Sequence, residues 1–141
     1  MAGQTKLTWI PGSKTYVSTD STGHSVVLST PKDNTGMKPS ELLLSALAGC
    51  TSVDVVNILE KKQTPLTSLE IIVSSEQDKD PPWTFRNIHL LFRLKGKGLT
   101  EKNVRQAIDL SEEKYCSVAS SLRGTVDITT SFVILDDEDN T

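Results

Sequence analysis

The chain reads as an α+β fold: a group of strands, a long helix, two more strands, a second helix and a last strand, rather than the regular alternation of a doubly wound sheet. Two observations carry this reading. Apolar residues alternate with polar ones around Leu69–Val73, Ile88–Leu94 and Val126–Ile134, the period of a pleated strand, and they recur at helical spacing in the stretches between. With 141 residues the chain fits a single domain, 1–141, of a size that buries roughly two-thirds of its unfolded surface.

From Lys6 to Ser29 short apolar runs holding Leu7, Trp9, Val17, Val26 and Leu28 are cut by Pro11-Gly12 and Ser21-Thr22-Gly23, which predicts a small antiparallel meander. Residues 30–39 are rich in Pro, Gly, Asp and Asn and form a loop. Ser40 is the candidate N-cap of the helix that follows, Glu41 suits the dipole of its first turn, and the helix runs to about Lys62. Between Leu42 and Ala48 it is apolar or small on nearly every face, so a central, buried helix is expected. One sheet and two helices offer such a helix little cover, which points to burial against a partner subunit.

Two alternating strands follow, with Leu69, Ile71 and Val73 in one and Ile88, Leu90, Phe92 and Leu94 in the other, joined by a polar turn at Asp78–Pro82 as a long hairpin. Gly96-Lys97-Gly98 lacks the spacing of a phosphate loop and reads as a turn. Thr100 opens the second helix, with Val104, Ala107 and Ile108 at helical spacing. The period breaks near Cys116, where a short further helix begins. A last strand, Val126 to Leu135, leads into an acidic tail, Asp136 to Asp139.

A formal charge of −3 and a pI near 5.3, without a basic stripe, argue against nucleic acid and an anionic membrane as partners. No apolar stretch is expected to reach the ~20 residues of a spanning helix, and the opening MAGQTKLTWIPG lacks the core of a signal peptide, which places the chain in the cytoplasm. There a cysteine pair is more often catalytic, redox-sensing or buried and inert than a structural disulfide.

Cys50 and Cys116 are the only cysteines. Cys50 sits about three turns into its helix within Ser45-Ala46-Leu47-Ala48-Gly49-Cys50-Thr51-Ser52, where small neighbours leave room for a ligand or for close packing, and a plain core role remains open. Cys116, at the start of a short helix, would face free backbone N–H groups and so be the better thiolate former; core packing is open for it too. Together the two suit a peroxide-reducing thiol, which passes through sulfenic acid and needs a second thiol to trap it. Glu41 either complements the dipole or turns into a pocket. Asp54, one turn after Cys50, reads as hydrogen-bonding, because a carboxylate beside a thiol raises its pKa. Glu112 and Glu113 lie within a turn of Cys116 and fit a solvated surface equally well. His24 and His89 with the two cysteines lack the spacing of a zinc site, and His89, sharing a strand face with Asn87 and Arg93, reads as solvent-facing.

Pro39-Ser40-Glu41-Leu42-Leu43-Leu44-Ser45-Ala46-Leu47-Ala48-Gly49-Cys50, Tyr115-Cys116-Ser117-Val118-Ala119 and Arg123-Gly124-Thr125-Val126-Asp127-Ile128 resemble the osmotically inducible protein C and organic hydroperoxide resistance (OsmC/Ohr) family. The resemblance spans nearly the whole chain, and the run Asp109-Leu110-Ser111 through Ala119 looks like a less characterised OsmC-like subgroup. It implies an intertwined homodimer with antiparallel sheets around two central helices, one from each chain. It implies a peroxidase without haem, flavin or metal cofactor, in which Cys50 matches the peroxidatic and Cys116 the resolving thiol, an organic hydroperoxide is the substrate, and an external dithiol of lipoyl type is the reductant. The alternative is an OsmC-fold protein that binds a small apolar or thiol-containing molecule, or senses oxidation without turnover. Two positions depart from the pattern. The family's N-terminal Arg is missing, since the first Arg is Arg86, and Lys14 in the corresponding loop is a point charge rather than a guanidinium fork. The family's Glu directly follows the proline, whereas here Ser40 does and Glu41 comes next, a rotation of about 100° on a helix.

Overall fold

The structure, a computed structural model, describes residues 3–136, which form two compact units meeting in sequence at Leu43 and Leu44. Asp137 to Asp139 of the acidic tail lie outside the described residues.

The first unit is the meander expected: β1 (Lys6–Trp9), β2 (Thr15–Thr19) and β3 (Ser25–Ser29), antiparallel in that order. Asp20 organises its second turn, accepting from the Thr22 hydroxyl at 2.7 Å and from the Thr22 and His24 amides at 2.9 and 3.0 Å. Those donors, the Thr22 hydroxyl first, hold its carboxyl below the usual range. After β3 the chain doubles back, and Met37 pairs with Leu28. This requires glycine at 36, where a Cβ would come within 2.7 Å of the Val27 backbone. The buried Ser29 hydroxyl accepts from the Thr35 and Gly36 amides and pins the loop.

The long helix, α1 (Pro39–Lys61), begins one residue before the predicted cap: Pro39 takes the first helical position, where its fixed φ is favourable and its missing N–H costs nothing. Within the second unit α1 buries one stripe, Leu44, Leu47, Thr51, Val55 and Leu59. The opposite face, with Ala46, Gly49, Val53 and Val56, is exposed, so burial on every side does not occur within one chain. The expectation on spanning length is also corrected: by length and composition α1 is long and apolar enough to cross a membrane, which the scattered Ser, Thr and Gly had obscured.

The second sheet runs β4–β5–β6, with β4 (Ser68–Gln77) and β5 (Phe85–Lys95) the predicted hairpin. Arg86 makes a two-pronged ion pair with Asp78 across the hairpin's end. Central β5 buries Ile88, Leu90, Phe92 and Leu94 completely, in the alternation the sequence showed. Its other face is less open than expected: His89 is half-buried, its ring nitrogens bonded to Thr129 at 2.7 Å and Ser131 at 2.8 Å.

The α+β class holds, with one departure from antiparallel pairing among the strands of the two sheets. β6 (Asp127–Ile134) runs parallel to β5. A parallel neighbour needs a crossover. It is supplied by α2 (Glu101–Leu110), a π-helical turn (Ser111–Tyr115) and α3 (Ser117–Leu122). The Thr100 side chain caps α2 by accepting from the Asn103 amide at 3.1 Å. Val104, Ala107 and Ile108 join the β5 residues, Leu47, Val55 and Leu59 in the core.

Candidate functional site

The site is assembled by the crossover. In the π turn, fully buried Ser111 donates its hydroxyl to Asp54 of α1 at 2.7 Å, and its carbonyl accepts from the Cys116 amide at 2.7 Å. This five-residue hydrogen bond widens the chain and delivers Cys116 in extended geometry (φ −80°, ψ 107°) as the N-cap of α3. Its sulfur accepts from the Ala119 amide at 3.3 Å. The sequence placed a helix start at Cys116, and that is what forms.

Cys50, half-buried on α1, faces this corner. The groups that act on its sulfur are the Cys116 thiol, the Val118 and Ser117 amides and the Ser117 hydroxyl. Both cysteines are free thiols. Thr51, the next residue along α1, is fully buried; its hydroxyl donates to the Leu47 carbonyl at 2.9 Å and stands 3.8 Å from the Cys116 sulfur.

These surroundings separate the two thiols. Burial pulls the Cys50 pKa up, but the donors from Cys116, Val118 and Ser117 outweigh it, and the thiol is more acidic than usual. Cys116 is pushed up, first by burial and then by the hydrogen bond it shares with Cys50; the Ala119 amide and Thr51 only partly offset this. The expectation that Cys116 would be the better thiolate former is therefore reversed. The amides at the start of α3 serve the sulfur lying across from them more than the residue that caps the helix.

Of the other residues singled out in the sequence, Asp54 is hydrogen-bonded as expected, to Ser111. Glu113 is exposed. Glu112 is not a plain surface residue: its Oε1 is enclosed and without a hydrogen-bond partner among the described residues, and burial raises its pKa. Arg123 donates to the Glu112 main-chain carbonyl. Glu41 sits exposed in the first turn of α1 and makes no side-chain hydrogen bond among the described residues; Lys14 is exposed in the β1–β2 turn. Thr51 and Ser117 escaped sequence reasoning. A signal existed for Thr51, the one polar residue on the Leu44, Leu47, Val55, Leu59 stripe; none existed for Ser117, whose partner is remote in sequence. Among the described residues no three His, Cys, Asp or Glu side chains gather as metal ligands.

Residues 32–131 match the family described as OsmC-like protein. The chain belongs to this family. It is 34% identical over 132 residues to Protein YhfA of Escherichia coli K12, an alignment covering 94% of this chain and 98% of that protein, whose name states no activity. Among solved structures of the fold, an OsmC-like protein from Mycoplasma pneumoniae superposes with a TM-score of 0.82 at 16% identity, covering 96% of this chain and 99% of that one. The organic hydroperoxide resistance protein OhrB of Bacillus subtilis gives a TM-score of 0.63 at 17% identity, covering 94% and 98%. These last two likenesses are of fold alone.

Proposed function

We propose that this OsmC-like protein is a cytoplasmic, thiol-dependent organic hydroperoxide reductase acting as a homodimer. One observation carries the reading: two reduced thiols face each other, the more accessible one made acidic and the buried one held protonated. That is the division a peroxidatic and a resolving thiol need. Cys50 thiolate attacks an oxygen of the hydroperoxide; an S–O bond forms, the O–O bond breaks, and the alcohol leaves with a proton. Cys116 then attacks the Cys50 sulfenic acid, forming the disulfide and releasing water. An external dithiol, of lipoyl type by family likeness, reduces the disulfide and is itself oxidised.

The Ser117 and Val118 amides and the Ser117 hydroxyl take the part of the missing N-terminal Arg, stabilising the thiolate with dipoles instead of a charge. Glu41 enters as a pocket-shaping carboxylate on the family likeness alone. The dimer is supported by the face of α1 left exposed, where Val53 is 60% accessible and a Cβ on Gly49 would meet nothing within 4 Å, which suits close approach of a second α1.

The test is intact mass with thiol counting before and after one equivalent of an organic hydroperoxide. Loss of both thiols with a mass decrease of two hydrogens in the wild type, and a trapped sulfenic acid in Cys116→Ser, is expected. Two untouched thiols would overturn the reading and turn attention to ligand binding. Oxidation that catalytic dithiol cannot reverse over many cycles would make the protein a sensor.

A further inference from the structure

Glu112 is the buried titratable group that the cycle above leaves unused. Its enclosed Oε1 has no hydrogen-bond partner among the described residues, and its nearest neutral donor is the Thr51 hydroxyl, which is engaged by Leu47 instead and stands 3.8 Å from the Cys116 sulfur. Thr51 has one proton to give and two lone pairs to offer. While the proton goes to the Leu47 carbonyl, the Cys116 S–H can be accepted and Glu112 Oε1 is left without a donor, as observed. Turning the hydroxyl from Leu47 to Glu112 completes a chain from Cys116 through Thr51 to the carboxylate. Glu112 also lines a cleft of 480 Å³ with Asp109, Arg123 and Val126, an opening to solvent at the far end of the chain.

We infer that Glu112 is the proton acceptor for the resolving thiol, reached through Thr51. Because it acts on Cys116 through Thr51, it is a positioning residue. The inference deepens the proposed thiol chemistry and rests on that reading. When Cys116 attacks Cys50, its sulfur's electron pair forms the S–S bond, and the bond from Cys50 to its leaving group breaks with its pair going to that group. The Cys116 proton passes to Thr51 Oγ1 as the Thr51 proton passes to Glu112, and Glu112 releases it through the cleft to the water that neutralises the departing hydroxide. The net change is thiol plus sulfenic acid to disulfide plus water. This gives the buried Cys116 a local base that its own raised pKa calls for. The groups that set the charge of Glu112 are Arg123 at the end of α3 and Asp109 of α2, with Glu113 and Asp127 along the same cleft. On α1, Asp54 is engaged by Ser111 and Thr51 is neutral.

The experiment uses no peroxide, so its failure is distinct from failure of the peroxidase reading. Dithiodipyridine is added to reduced wild-type protein: Cys50 releases one equivalent of pyridinethione, and Cys116 releases the second by displacing it from Cys50. The rate of the second equivalent is followed against pH. In the wild type it should fall on the acid side as Glu112 protonates. In Glu112→Gln it should drop on the order of tenfold or more near neutral pH, lose that acidic limb, and climb only with direct ionisation of Cys116; release of the first equivalent should be unchanged. Thr51→Val should reproduce the slow second phase, Thr51→Ser should restore it, and the Val and Gln changes combined should add nothing. An unchanged second phase and pH profile in folded Glu112→Gln overturns the inference, as does a fast second phase in Thr51→Val. The Thr51 pair decides the matter if Glu112→Gln does not fold.

Discussion

Cys50 lies on the flank of a 23-residue helix, far from its ends, whereas Cys116 caps a helix of six residues. A helix N-terminus is the usual means of acidifying a thiol, yet the flank position is the more acidic of the two. What decides is how many donors aim at the sulfur and how dry its surroundings are. Cys50 is acted on by two amides, a hydroxyl and a thiol at a half-buried site; Cys116 has the Ala119 amide at 3.3 Å and the Thr51 hydroxyl at 3.8 Å, and its burial, at 2% exposure, works against it.

The comparison breaks most severely if Cys50→Ser still consumes hydroperoxide. Consumption should vanish in that variant, while Cys116→Ser should undergo a single oxidation and stall at the sulfenic acid, both read by peroxide assay and mass. Next in size is the contrast in labelling. With site-resolved iodoacetamide labelling of the wild type, Cys50 should react roughly tenfold faster or more than Cys116, because the buried thiol is both less ionised and less accessible. Because its pKa is lowered, Cys50 labelling should persist as pH drops below the usual thiol range, where that of Cys116 has already gone. Ser117→Ala sharpens the point: removing one donor should slow Cys50 labelling near neutral pH by a factor of about five, the equivalent of ~1 kcal/mol, and leave Cys116 alone.

Two stability measurements test the frame that holds the pair. Ser111→Ala, which leaves Asp54 without its donor, should cost about 1–2 kcal/mol in denaturant unfolding; a neutral result would mean water replaces the hydroxyl freely. Glu112→Gln has the smallest effect. Burial raises the folded-state pKa of Glu112, so the favourable, protonated state is fully present below roughly pH 4.3 and is lost as pH rises through the folded pKa. The Gln variant should therefore melt above the wild type at neutral pH, with the gap closing in acid; a gap that widens in acid would contradict the burial of this carboxyl.

Much of this was legible in the sequence because it is local. The alternation of Ile88, Leu90, Phe92 and Leu94 marked the central strand, Thr100 marked a cap that forms, and the broken period at Cys116 marked the start of α3. The family was legible from the two cysteine segments. The features that were not legible depend on remote residues. Nothing in residues 127–134 says that they run parallel to β5, and the π turn has no period of its own. The apolar run Leu42–Ala48 could not show that one stripe of α1 meets its own chain and the other does not. The order of thiol acidity was misjudged for the same reason: the donors to Cys50 come from Ser117 and Val118, which only tertiary structure brings near.

The parallel course of β6 bears on when the chemistry can begin. Residues 96–126 leave β5 at one end and return to pair with it from the other, so the segment carrying Cys116 is a closed arch whose second foot is the last strand. During synthesis Cys50 emerges on α1 well before β6 exists. The arch that carries Cys116 closes only when β6 zips onto β5, a pairing of high sequence separation and correspondingly late formation. A nascent chain thus carries two cysteines far apart along the chain, and the proposed thiol cycle would have to wait for the last strand to dock.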